Sequence, residues 1–253
     1  MNTVQARGLV LGEGMPKICV PITGRTKEEI LLRTEELKCT DPDLAEWRAD
    51  WYEGVLEEEK LLEILGILRE SLGELPLLVT FRTKQEGGEQ EISAEDYKTF
   101  LKRVLASGKA DLIDVELFMG EELLQSIARA AHQSGVRVVA SSHDFAKTPE
   151  KDEMIRRLCR MQELGADLLK LAVMPTNTGD VLTLLQATWE MNANYAKQPV
   201  ITMSMGGTGV ISRLAGEVFG SVLTFGSAGQ ASAPGQVEVA KLKDVLQVIH
   251  ESR

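Results

Sequence analysis

The sequence predicts an α/β chain closed into a (β/α)8 TIM barrel, and three observations predict it. Short apolar runs and amphipathic stretches of helical period alternate strictly through eight units, the pattern of parallel strands joined by crossover helices. The joints Ser-Gly-Lys-Ala-Asp (107–111), Ser-Gly-Val-Arg (134–137) and Leu-Gly-Ala-Asp (164–167) share one design: glycine stands where a helix needs a left-handed residue to stop, just before the next strand. The length, 253 residues, suits one such barrel, and no linker, low-complexity segment or charge block divides it. Residues 1–253 therefore read as a single barrel domain, with residues 1–16 as an N-terminal hairpin extension. An open doubly wound sheet is the alternative, but no GxGxxG motif follows the first strong strand to support it.

Taken in order, Val4–Met15 carries apolar positions and closely spaced glycines, which predicts a small hairpin capping the core. Strands are predicted over Ile18–Thr23, Leu44–Asp50, Leu77–Thr83, Leu112–Phe118, Arg137–Asp144, Leu168–Met174, Val200–Met205 and Val222–Gly226. Helices are predicted over Thr26–Lys38, Glu57–Leu72, Ala94–Ser107, Glu121–Gln133, Pro149–Leu164, Thr178–Tyr195, Gly209–Phe219 and Val239–Glu251.

Hydrophobic residues make up 43% and charged residues 26% of the chain, a balance that supports a real core. No apolar run approaches the length of a membrane span, and Met1–Leu11 lacks the basic start and apolar core of a secretion signal. Cys19, Cys39 and Cys159 are widely spaced with no CxxC pair; they read as reduced thiols of a cytoplasmic protein, not as a metal or disulfide framework. A net charge of −10 argues against nonspecific binding to nucleic acid or anionic lipid, and 5% aromatics leave little to stack on bases. An anionic small substrate remains open, since a pocket can be basic on an acidic protein.

The strand alternation locates the chemistry. Side chains of a strand point to opposite faces in turn, so Leu169, Leu171 and Val173 suit packing under helices while Lys170 and Ala172 point inward. Burying an ammonium disfavours its charged form, which makes Lys170 a candidate amine nucleophile for Schiff-base chemistry on a carbonyl. A packed lysine whose head reaches water or a carboxylate is the competing reading. The neighbours decide between them. Glu46, Arg48 and Asp50 share one face opposite Trp47 and Ala49; Thr80 and Arg82 oppose Val79 and Phe81; Asp114 and Glu116 oppose Ile113, Val115 and Leu117; Ser141 and His143 oppose Val138 and Ala140. Ordinary barrel interiors are filled by branched apolar layers, whereas this one is polar over much of its circumference, with charges that must pair or bind something. Arg48 has two candidate partners, Glu46 and Asp50. A polar, partly charged barrel centre predicts an active site.

His143 ends its strand, where barrel catalytic groups sit, and is the best placed of the histidines for acid–base work. His132, near a helix end, reads as structural, and His250 as solvated. Glu86, in the loop Gln85–Glu89, could meet His143 across the barrel mouth or be a solvated loop charge. Met203 and Met205 share a face and would line the pocket. The loop Met205-Gly206-Gly207-Thr208-Gly209 opens a helix and could cradle a phosphate; Ser212 and Arg213 in the following turns suit a carboxylate equally well. The loop 226–236 is small and mobile enough to be a lid, and Ser232 and Gln236 in it offer neutral groups to hydroxyls. No cluster has metal-ligand spacing, so the chemistry is expected to run without metal.

These motifs occur in one order on one fold: Glu46-Trp47-Arg48-Ala49-Asp50, Thr80-Phe81-Arg82 with Glu86-Gly87-Gly88, Ser142-His143-Asp144-Phe145 with Thr148-Pro149, Lys170 with Ala172, Met203-Ser204-Met205 through Gly209 to Ser212-Arg213, and Ser232-Ala233-Pro234-Gly235-Gln236. With them the chain resembles, over essentially its whole length, type I 3-dehydroquinate dehydratase, the Schiff-base enzyme of the shikimate pathway. The resemblance implies that Lys170 forms the imine, that His143 is the acid–base residue and Glu86 its partner, and that Arg213 anchors the substrate carboxylate. It also implies that Glu46, Arg48, Arg82, Ser232 and Gln236 bind the substrate hydroxyls and fix its pose, and it suggests a homodimer. One position departs: Pro21 stands where related enzymes often carry serine, and proline has neither hydroxyl nor amide hydrogen to donate. The implied reaction is syn dehydration of 3-dehydroquinate to 3-dehydroshikimate, with no organic cofactor or metal. The rivals are a class I aldolase or transaldolase acting on a phosphorylated sugar, and a barrel that binds a carboxylated ligand without reacting.

Overall fold

The structure, a computed structural model, describes residues 3–229 and 233–253. It opens with an antiparallel hairpin of β1 (Val4–Ala6) and β2 (Leu9–Leu11). Eight parallel strands and their helices follow: β3 (Lys17–Ile22), α1 (Lys27–Lys38), β4 (Leu44–Arg48), α2 (Glu58–Leu72), β5 (Leu77–Thr80), α3 (Ala94–Ser107), β6 (Leu112–Glu116), α4 (Glu121–Gln133) and β7 (Arg137–Asp144). Then come α5 (Lys151–Glu163), β8 (Leu168–Val173), α6 (Thr178–Asn194), β9 (Val200–Ser204), α7 (Val210–Leu214), α8 (Gly216–Phe219), β10 (Leu223–Ser227), a two-residue β11 (Val237–Glu238) and α9 (Val239–Glu251). Sheet order runs from β3 to β9 in chain order, with β10 beside β3 and β11 beside β10. The ring closes between β9 and β10, where Val222 N donates to Val200 O at 2.9 Å and Thr202 N to Ser221 Oγ at 3.0 Å. The expected (β/α)8 barrel is the fold.

Local chemistry explains the boundaries. Thr26, Ser93 and Asn177 cap α1, α3 and α6 by accepting from the amides of Glu29, Asp96 and Asp180, which satisfies donors that a helix start leaves over. The joint glycines do stop helices: Gly108 follows α3 at φ 63°, and Gly135 and Gly165 follow α4 and α5 at φ 72° and 94°. Three strands end two or three residues earlier than the apolar pattern predicts, at Arg48, Thr80 and Glu116. Their inward carboxylates take over backbone donors that a longer ladder would use: Asp50 accepts from the amides of Arg82 and Glu89, and Glu116 from that of Thr83. The helix predicted over 209–219 is two pieces, α7 and α8. The break lets Gly216 lie against the sheet, where a β-carbon would stand 2.9 Å from Ser221 O.

Two apolar clusters result. The larger lies between strands and helices and holds the outward faces, among them Trp47, Phe81, Leu169 and Leu171. The smaller fills the lower barrel with Cys19, Leu44, Leu78, Leu112, Val139, Leu168, Ile201 and Leu223, and Val4, Ala6 and Leu11 of the hairpin pack into the same cluster. The hairpin therefore caps the barrel, and Arg7 at its turn pairs with Asp111 at 3.1 Å. Among the described residues no helix is long and apolar enough to cross a membrane.

Candidate active site

One step above that apolar plug, two residues further along each strand, the interior turns polar around a cavity of about 160 Å³ at the carboxyl ends of the strands. Lys170, in the middle of β8, reaches into it with only 4% of its surface exposed. Its ammonium Nζ donates to Asp114 Oδ2 at 3.4 Å, stands 3.6 Å from Glu46 Oε1, and lies 4.5 Å from the centre of the Phe225 ring. The charges nearest the amine are thus carboxylates. Glu46 Oε1 is itself held by the Thr80 hydroxyl at 2.8 Å.

Arg82 joins the polar walls. Nη1 donates to Glu116 at 2.7 Å and to Ser141 Oγ at 3.0 Å, and reaches Glu86 Oε2 at 3.5 Å. Nη2 is 2.9 Å from Asp114 Oδ2, an ion-pair contact. Burial pulls the Arg82 guanidinium down, yet Asp114, Glu116 and Glu86 outweigh it and hold its pKa well above the ordinary value. Burial likewise pushes the Asp114 carboxyl up, but Arg82, Lys170 and the Ser141 hydroxyl hold it below the usual carboxylate range.

His143 sits at the upper end of β7 beside Ala172 of β8. Glu86 Oε2 accepts its backbone amide at 2.9 Å and lies 2.8 Å from its ring Nδ1, within hydrogen-bond distance, which leaves Nε2 as the ring nitrogen for the cavity that His143 lines. Glu86 is 5% exposed, so it is a buried partner and not a solvated loop charge. Burial, opposed by Arg82 and reinforced by Glu116 and Asp114, pushes its carboxyl up to about 8. Burial and then the cations Arg82, Lys170 and Arg48 pull the imidazole well below its ordinary value. At neutral pH His143 is therefore uncharged and able to take a proton.

Arg48 is gripped by Asp50 through two 2.8 Å bonds; of its two candidate partners, the sheet geometry selects Asp50. Arg213 differs from every other cation in the cavity. It is buried, no carboxylate pairs with it among the described residues, its Nη2 donates to Pro234 O at 3.1 Å, and its Nε makes no hydrogen bond. Burial alone lowers it to about 10. Gln236 lines the same cavity, and Ser232 lies outside the described residues. Pro21 shares the inward face of β3 with Cys19 but is not among the cavity's lining residues; it is tolerated where the ladder to β10 has already ended, at Cys19. The glycine loop after β9 serves close backbone packing: a β-carbon at Gly209 would meet Ser204 O at 2.2 Å, and Gly235 packs against Gly206. The remaining histidines are paired outside the site, His132 with Asp167 and His250 with Glu217.

Sequence reasoning overlooked Phe225 under the amine and Phe145 at the mouth, both of which line the cavity. Splitting Val222–Gly226 by face, as the other strands were split, puts Phe225 inward with Leu223.

Fold and site together define a class: a parallel barrel with a buried amine, a neutral imidazole and a guanidinium with no paired carboxylate among the described residues around one cavity, a set of groups suited to carbonyl chemistry on a carboxylate. The comparisons with known proteins narrow it. The family model for type I 3-dehydroquinase matches residues 18–253. The chain is 54% identical over 250 residues, 99% of each chain, to a 3-dehydroquinate dehydratase of Syntrophotalea carbinolica. It superposes on the crystal structure of the type I enzyme from Clostridium difficile, determined with covalently modified comenic acid, with a TM-score of 0.97 at 52% identity over 100% of this chain and 99% of that one. The 3-dehydroquinate dehydratase of Geobacillus kaustophilus gives 0.96 at 37% identity, covering 100% and 98%. The chain belongs to the type I 3-dehydroquinase family. Its activity is that of the family, a hydro-lyase reaction of the shikimate pathway that dehydrates 3-dehydroquinate through a Schiff base.

Proposed function

We propose that Lys170 is the residue that forms the Schiff base, that His143 moves the protons with Glu86 as its partner, and that Arg213 holds the substrate carboxylate. The carrying observation is the juxtaposition in one cavity of the only buried lysine among the described residues with a histidine whose Nδ1 is tied to Glu86. The Lys170 ammonium hands one proton to His143 Nε2, and the freed Nζ lone pair attacks the C3 carbonyl carbon of 3-dehydroquinate while the carbonyl electron pair passes to oxygen, which then takes a proton from the same nitrogen. His143 returns its proton to that hydroxyl, which leaves as water and gives a protonated imine. The iminium draws electrons from C2, so His143 Nε2 can take a C2 proton and leave an enamine instead of a bare carbanion. The enamine pushes out the C1 hydroxyl, His143 returns the proton to it as water, and hydrolysis of the imine frees 3-dehydroshikimate and Lys170.

Arg213 supports the anchor role because a buried cation without a counter-charge is costly, and a bidentate carboxylate relieves that cost. Glu46, Arg48, Arg82 and Gln236 line the remaining walls and are assigned to the substrate hydroxyls and its pose, with Ser232 assigned there on the resemblance. Borohydride added with 3-dehydroquinate should leave a stable adduct on Lys170, read by mass. Lys170→Ala should lose both the adduct and the rise in ultraviolet absorbance of the conjugated product. A wild-type protein that gains no mass overturns the assignment.

The resemblance also suggests a homodimer, and the exposed face of α6 supports it: Leu182 and Trp189 are 63% and 54% exposed, with Val218 of the neighbouring α8 at 50%. A symmetric pair would cover such a surface; sedimentation of wild type and Trp189→Asp tests it. The three cysteines form no disulfide, which fits a reducing compartment, and a cytoplasmic location belongs to the same reading.

A further inference from the structure

The nucleophile's geometry depends on a residue so far given no role. A lysine side chain has four rotatable bonds, and its amine is useful only if held within about 3–3.5 Å of the carbonyl carbon in an attacking direction. Among the described residues one hydrogen bond holds Lys170 Nζ, the 3.4 Å contact to Asp114 Oδ2; Glu46 at 3.6 Å stands beyond hydrogen-bond reach. Asp114 is itself immobilised. It has no exposed surface, its Oδ1 accepts the Ser141 hydroxyl at 2.6 Å, and its Oδ2 lies 2.9 Å from Arg82 Nη2. The sheet explains why it can reach. Asp114 is on β6 and Lys170 on β8, while Ser141, the β7 residue between them, stands opposite Lys170 in register.

We propose that Asp114, braced by Ser141 and Arg82, is the positioning residue that aims the Lys170 amine. One oxygen, Oδ2, faces both the amine of Lys170 and the guanidinium of Arg82, whose other nitrogen reaches Glu86. The nucleophile and the His143–Glu86 pair are thereby braced through one network. Asp114 acts as an acceptor and not as a base, because the surrounding cations and hydroxyl keep it ionised below the usual carboxylate range. After attack the same oxygen faces a nitrogen that is again cationic, as the protonated imine, so the brace persists into the intermediate.

The inference rests on Lys170 being the residue that forms the imine, and the test separates the two. Rapid-quench borohydride trapping with 3-dehydroquinate gives the rate of imine formation. Calorimetry gives the binding of the analogue bearing a hydroxyl in place of the C3 ketone, which cannot form an imine. Asp114→Asn should slow trapping about 100-fold, the cost of misaiming a reactant by roughly 1 Å, and leave analogue binding unchanged. Ser141→Ala, which loosens the brace but keeps the carboxylate, should slow trapping in the same direction by less, and it carries the test if the first variant does not fold. Trapping at the wild-type rate in the variants overturns the proposal. So does loss of analogue binding in step with trapping, which would make Asp114 a general support of the pocket. Failure of the wild type to trap on Lys170 would instead overturn the assignment of the lysine.

Discussion

The two halves of the barrel interior are built on the same strands, two residues apart. Leu44 sits under Glu46, Leu78 under Thr80, Leu112 under Asp114, Val139 under Ser141 and Leu168 under Lys170. The lower layer, closed by the hairpin, is built of aliphatic side chains and the buried Cys19 thiol and carries no charge. The upper layer carries buried charges of both signs, and such groups are tolerated only when paired or hydrogen-bonded. Most are. Arg48 is matched by Asp50, Arg82 by Glu116, and Glu46 by Thr80. Two buried atoms of the cavity residues make no hydrogen bond among the described residues, Glu86 Oε1 and Arg213 Nε. The lower layer secures the fold, and the upper layer keeps unmet bonding capacity where a polar, anionic substrate would sit.

The comparison breaks first at His143. His143→Ala should lower turnover about 10²–10⁴-fold, the usual worth of a positioned acid–base group. It should still build the borohydride-trapped adduct on Lys170, slowly. Near-normal turnover would remove His143 from the mechanism. The counterpart in the lower layer is Leu168→Ala, two residues down the same strand as Lys170. Leu168 is fully buried, so truncation should cost about 2–5 kcal/mol of stability, read by denaturant unfolding. At temperatures where the variant stays folded, its kcat/KM should hold. Activity lost ahead of stability would mean that the two layers are not separable.

Much of this arrangement was legible in the sequence because a strand has a period of two: once the outward faces of five strands are apolar, the inward polar set follows. Three helices, Ala94–Ser107, Glu121–Gln133 and Val239–Glu251, begin and end where the pattern places them. What periodicity cannot express is partnership. It offered Arg48 two carboxylates, could not give the exposed His250 its partner Glu217, and gave Glu86 an even choice between loop and core. It also ran strands past Arg48, Thr80 and Glu116, because the bonds that end them join carboxylates to amides some 30 to 40 residues distant. Those choices are made by the closed barrel. Hence the polar face is written in the chain, whereas the contacts of Asp114 with Ser141, Arg82 and Lys170 exist only in the closed barrel.

The smallest expected effect probes the charge of the upper layer through pH. Glu86 has its carboxyl raised to about 8 in the folded protein, above the roughly 4.3 of an unfolded chain. Between those values the folded state holds a proton that the unfolded state has released, so stability falls as pH rises. The contribution is fully present below about 4.3 and is lost as pH passes through about 8. His143 runs the other way: its pKa is depressed, so its contribution is present above about 6.5 and is lost as pH falls through its lower folded value. Glu86→Gln removes the first contribution while keeping an acceptor for the His143 amide. The melting temperature of the variant minus that of wild type should therefore climb from pH 5 to pH 8 and level off above, where wild-type Glu86 is ionised. A difference flat across that range would show that Glu86 is ionised at neutral pH.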